Sequence, residues 1–110
     1  MWSLAYLSSL SGCLIMPVNL RKEARGRPCM VRLPGCDGGG ETTCLAHYRM
    51  SGYCGTGLKP DDLAFGAWAC HNCHNLIDGR DNSLSWNEAR FAHVEGVLRT
   101  IHQLRKEGKI

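Results

Sequence analysis

Ten residues, "ACHNCHNLID" at positions 69–78, gather two cysteines, two histidines and an aspartate. Cys70 and Cys73 form a C-x-x-C, a spacing that lets two sulfurs reach one ion across a tight turn. His74 and Asp78 stand four residues apart. On a helix opening at Cys73 they would point the same way and could hold a divalent cation such as Mg²⁺, Mn²⁺ or Zn²⁺. His71 and Asn72 fill the turn and are assigned no chemistry. A structural zinc wants four Cys or His ligands, so a second pair must come from elsewhere. Cys29 and Cys36 flank "MVRLPG", whose Pro34-Gly35 is a turn signal that would return both thiols to one place. The expected zinc set is therefore Cys29, Cys36, Cys70 and Cys73, with Cys44 and Cys54 as competitors for the first pair. His47 is the candidate third group beside His74 and Asp78. A thioredoxin-like redox reading of Cys70/Cys73 would need a surrounding βαβ pattern, which this chain lacks.

These groups need a frame. "LRKEARG" (20–26) reads as a basic helical turn ending at Gly26. "CMVRL" (29–33) has strand character, with Val31 and Leu33 on one face. "TTCLAHYR" (42–49) is the next strand, and "LAFGAWA" (63–69) a third that leads into Cys70. Between them, residues 51–62 carry three glycines and a proline and read as a long loop. A helix is expected from Cys73 to Arg80. The last element is the clearest: Ser85-Trp86-Asn87-Glu88 matches a capping box. Behind it Val94, Val97, Leu98, Ile101 and Leu104 recur at helical spacing, predicting a packing helix over about 85–106.

At 110 residues the chain is one small domain, of a size that often leans on a metal or disulfides. Hydrophobic and charged fractions are ordinary, which argues against a disordered or membrane protein. The net charge of +3 is mild, but Arg21, Lys22, Arg25, Arg27 and Arg32 crowd one end. Seven cysteines is an odd count; with a histidine attached to the C-x-x-C, metal ligands in a reducing, cytoplasmic compartment fit better than a disulfide framework. The opening "MWSLAYLSSLSGC" contains a lipobox-like Leu10–Cys13 but no basic n-region, and the run is too short to span a bilayer. Residues 1–15 are expected to be an extension before a start at Met16, leaving 16–110 as the domain.

Together, "LRKEARGRPC", "LAHYRMSG", "KPDDL" and "ACHNCHNLIDGR" resemble the HNH, or ββα-metal, endonucleases, and most closely the short prophage-encoded nucleases of the YbcO type. The resemblance covers roughly residues 19–106. It implies an α+β fold: a small zinc-stabilised ββα-metal domain with an added C-terminal helix. It implies that His47 is a general base, that His74 is the metal-binding histidine at the helix start, that Asp78 is a second helix ligand, and that Asp62 orients the loop or the base. One position departs from the pattern. Where many such enzymes carry a metal-binding Asp or His directly before the catalytic histidine, this chain has Ala46.

The implied function is a metal-dependent DNA endonuclease or nickase of prophage origin, acting in recombination or DNA processing. Phosphodiester hydrolysis needs an activated water, neutralised phosphate charge and help for the leaving oxygen. Histidine, whose ordinary titration falls near neutral pH, suits the first task, and a cation on His74 and Asp78 the others. Arg49 and Lys59 are candidates to hold flanking phosphates, and Arg21, Lys22 and Arg25 fit the same electrostatic role. The expected partner is DNA, duplex, branched or single-stranded. The competing reading is a zinc-bound nucleic-acid-binding module that has lost catalysis at Ala46.

Overall fold

The computed structural model describes residues 18–55 and 57–110. The expected extension over 1–15, the Cys13 lipobox and the Met16 start lie outside the described residues. Among the described residues no helix is long and apolar enough to cross a membrane.

The order of elements is α1 (Leu20–Glu23), β1 (Cys44–His47), α2 (Asp62–Phe65), β2 (Gly66–Ala69), α3 (His71–Ile77) and α4 (Trp86–Lys106). This is a small mixed α+β domain. β1 and β2 form a two-stranded antiparallel sheet with Leu45 opposite Trp68 and His47 opposite Gly66. All four residues of β2 are buried, and α4 packs across the strand. The apolar interior has two parts. One gathers Val31, Ala46, Ala67, Ala69 and Val97 around Cys29, Cys70 and Cys73; the other gathers Ala24, Met30 and Leu104 around Trp68.

Residues 29–33 are not a strand, which corrects the expectation from their composition. One ladder-like bond exists, from Met30 N–H to the Trp68 carbonyl at 2.7 Å. The chain then turns at Arg32, whose φ of 59° is left-handed. Pairing stops there because the segment must bend to bring Cys29 and Cys36 together. Val31 and Leu33 still face the core, as their i, i+2 spacing suggested. The third expected strand, 63–69, is also shorter than predicted. Asp61 caps a helical turn by accepting from Ala64 N–H at 2.8 Å, so Leu63–Phe65 are helical and only Gly66–Ala69 are extended. A side chain at Gly66 would meet the Asp62 carbonyl at 2.6 Å, so this close helix–strand junction requires glycine. The strand over 42–49 narrows to Cys44–His47.

α3 opens two residues earlier than expected, because Cys70 itself is the N-cap, and ends at Ile77 rather than Arg80. α4 starts as its sequence predicts: Ser85 Oγ accepts from Glu88 N–H and Glu88 Oε1 accepts from Ser85 N–H. Its packing face differs. Val97 and Leu104 are buried and Ile101 half-buried, but Val94 and Leu98 are exposed, Leu98 by 61%. The inner face is Ala89, His93, Gly96, Val97, Thr100 and Leu104. Thr100 Oγ1 accepts from Trp68 N–H (3.0 Å) and donates to the Gly96 carbonyl (2.8 Å), tying the helix to the free side of β2. The far end is fixed by Arg27, which makes two 2.6 Å hydrogen bonds to Glu107.

Candidate metal centre and catalytic cleft

The sulfurs of Cys29, Cys36, Cys70 and Cys73 lie within 4.8 Å of one another. The Cys36–Cys70 separation is 3.8 Å, matching the edge of a tetrahedron whose metal–sulfur bonds are about 2.3 Å, an edge of about 3.8 Å. Backbone N–H groups converge on these sulfurs. Gly38 N–H donates to Cys36 Sγ and Cys73 N–H to Cys70 Sγ, each at 3.3 Å. At Cys29, burial pushes the thiol up, but backbone donors at Arg32, Cys70 and Val31 outweigh it and draw it below its ordinary value. Burial pushes the Cys36 and Cys73 thiols the other way, above their ordinary value. Four clustered sulfurs with amide donors can hold a metal ion, and the donor set fits structural zinc.

Neither competitor joins the cluster. Cys44 Sγ sits 3.3 Å from His74 Nδ1, and Cys54 Sγ lies 3.7 Å from the Met50 carbonyl in the loop.

The second constellation lines a cleft of about 440 Å³ between β1, α3 and α4. His47, Arg49, His74 and Asp78 all border it. Asp62 lies outside the lining but is 2.6 Å from His47, its Oδ1 meeting His47 Nε2. That hydrogen bond, with Arg21 assisting, holds the Asp62 carboxyl below its ordinary range although burial pushes it up. Arg21 pairs with Asp62 at 3.4 Å, so it is engaged beside the histidine as well as exposed. Lys22, Arg25 and Lys59 are exposed and do not border the cleft. His74 is half-buried, and that burial holds its imidazole below its ordinary value, towards the neutral, ligating form. Asp78 is exposed and paired with Arg80 at 3.1 Å.

Among the described residues, the four cysteines are the one set of three or more Cys, His, Asp or Glu whose ligand atoms all approach within 4.8 Å. His47, His74 and Asp78 border the cleft without forming such a set. Ala46 adds nothing to it: its side chain is buried in the core beside Ala67 and Val97.

Composition and motif reading missed the wall that α4 contributes. His93, buried on the inner face, brings Nε2 to 2.9 Å from the Ala46 carbonyl and meets Tyr48 edge-on at 5.4 Å. Trp86 and Arg90 border the same cleft. The available signal was the spacing Ala89, His93, Gly96, Val97, Thr100, a helical stripe obscured by its low hydrophobicity.

Residues 18–109 match the family model described as "Putative nuclease YbcO". The chain belongs to the YbcO family. "Putative nuclease YbcO" of Escherichia coli (strain K12) is 48% identical over 93 residues, covering 84% of this chain and 96% of that protein. "Putative nuclease ybcO" of Enterobacteria phage 82 matches with the same identity and coverage, so one such relative is phage-encoded. A solved structure described as a "putative bacteriophage protein" from Escherichia coli K-12 MG1655 superposes with a TM-score of 0.69 at 43% identity, covering 82% of this chain and all of that one.

Proposed function

We propose that this protein is a metal-dependent DNA endonuclease of the HNH, ββα-metal type. The observation that carries the reading is the His47–Asp62 hydrogen bond at 2.6 Å, placed where His74 and Asp78 border the same cleft. With Asp62 accepting from Nε2–H, His47 keeps its Nδ1 lone pair free to take a proton from water. The water oxygen then bonds to phosphorus, one P–O ester bond breaks, and the leaving oxygen takes up a proton from solvent. His74 and Asp78 would hold the divalent cation, which when bound supplies charge neutralisation at the phosphate and leaving oxygen. Arg49 on the cleft wall holds a flanking phosphate, while Arg21, Lys22, Arg25 and Lys59 add positive surface for the strand. The four cysteines hold a structural zinc that fixes Cys70, the cap of α3, and thereby the position of His74.

The test is nicking of supercoiled plasmid with added Mg²⁺ or Mn²⁺. Cleavage should vanish with EDTA and in His47→Ala. Absence of cleavage with every cation, or cleavage that survives His47→Ala, would leave the non-catalytic nucleic-acid-binding module as the better reading.

A further inference from the structure

Hydrolysis as proposed uses one wall of the cleft. The same cleft is also bordered by Trp86, the first residue of α4, with 71% of its surface exposed. No other large hydrophobic side chain among the described residues is as exposed. One turn on, the Arg90 guanidinium lies over its ring, 4.1 Å from the centroid. Arg90 does not lie there by chance of rotamer, because its Nε donates to Tyr48 Oη at 3.1 Å. Tyr48 in turn is the neighbour of His47 and rests edge-on against His93. The indole, the guanidinium and the histidine are thus linked through a single side-chain relay, and all border one cavity.

A flat cation over an exposed indole offers a stacking surface and a phosphate donor side by side. Nucleobases stack on such surfaces whatever their identity, because each has a π-face. Inside an intact duplex those faces are covered by neighbouring pairs, so only an unpaired or splayed nucleotide can present one. We propose that Trp86 and Arg90 form a stacking platform for an unpaired DNA base beside the bond to be cut, so that the preferred substrate carries a single-stranded segment at the cleft. This rests on reading the cleft as a nuclease site.

The test uses the full zinc-loaded chain carrying His47→Ala, without added divalent cation, and fluorescence anisotropy with labelled oligodeoxythymidylate, oligouridylate and a blunt duplex of equal length. Trp86→Ala should weaken oligodeoxythymidylate binding by about 5- to 100-fold, the contribution of one stacked base. Duplex binding should change far less, so the affinity ratio falls. Trp86→Phe, which keeps a ring, should recover most of the loss, and Arg90→Ala should move the ratio the same way. Loss on both single-stranded polymers fits the platform. Loss confined to oligouridylate, equal loss on duplex, no loss at all, or a change in sedimenting mass that marks Trp86 as a contact between copies would overturn it. Trp86-dependent binding in a protein that never cleaves would remove the hydrolytic reading and leave the platform standing.

Discussion

Asp62 Oδ1 lies 2.6 Å from His47 Nε2, although 15 residues and a glycine-rich loop separate them in the chain. The contact forms because Asp62 opens α2, and α2 runs directly into the strand that pairs with β1. It fixes both the ring orientation and the nitrogen that carries the proton. Asp62→Ala is expected to lower the cleavage rate by about 10- to 100-fold, the scale seen when a group orienting a functional histidine is lost. Asp62→Asn can accept through its amide oxygen and should retain more. Plasmid nicking rates with thermal midpoints recorded alongside check this, and equal rates for Asp62→Ala and the unaltered protein would refute it.

The four-cysteine centre predicts about one tightly held zinc per chain. Cys29→Ser and Cys73→Ser should lose it and unfold at lower temperature, while Cys44→Ser and Cys54→Ser should keep it. Elemental analysis of the purified variants distinguishes the sets. Zinc lost from Cys44→Ser and kept in Cys29→Ser would mean a different ligand set.

Acid should loosen the far end of α4. The paired hydrogen bonds from Arg27, helped by Gln103, hold the Glu107 carboxyl at about 2, from an ordinary 4.5. A lowered folded-state value means stability that is present above about 4.5 and lost as pH falls towards about 2. Glu107→Gln should therefore be less stable than the unaltered protein above that window, with the gap closing inside it. Taking the difference between the two proteins by denaturant titration removes any effect of acid on the cysteine centre that they share.

At Gly96, α4 comes close to Val31 and Ala67. A Cβ there would stand 2.9 Å from Val31 Cγ2 and 3.3 Å from Val31 Cα. Alanine improves helix propensity by about 1 kcal/mol, but overpacking against a backbone atom costs about 1–3 kcal/mol. Gly96→Ala should be net destabilising, by up to about 2 kcal/mol in chemical denaturation. A stabilised variant would show that the helix can move off Val31.

The parts of the molecule legible in the sequence were those governed by local rules. The Ser85 capping box and the C-x-x-C follow from spacing alone, and so does the approach of His74 and Asp78 to one cleft. The choice of Cys29 and Cys36 rested on a turn signal, and their sulfurs do meet the other pair. What stayed hidden depends on distant partners. Residues 29–33 have strand composition, yet the need to fold Cys29 towards Cys36 overrides it at Arg32. Val94 and Leu98 read as core by hydrophobicity, yet the surface they would face is taken by small, close-packed residues: Gly96 fits against Val31, and Thr100 and His93 bond to backbone groups of the sheet. Stripes chosen for close approach and hydrogen bonding are quiet on a hydropathy scale. Trp86 and Arg90 were invisible for another reason: only the fold brings the start of α4 alongside β1.

The ties between the α1 region and the segment that ends α4 have a bearing on biosynthesis. Arg27 meets Glu107 across 80 positions, and Lys109 meets Glu23 across 86. Residues 107 and 109 must have left the ribosome before these ties can close. All four sulfurs, by contrast, have emerged once residue 73 is clear. Metal capture can thus precede helix docking during translation, with the cysteine centre acting as a nascent anchor onto which α4 later settles.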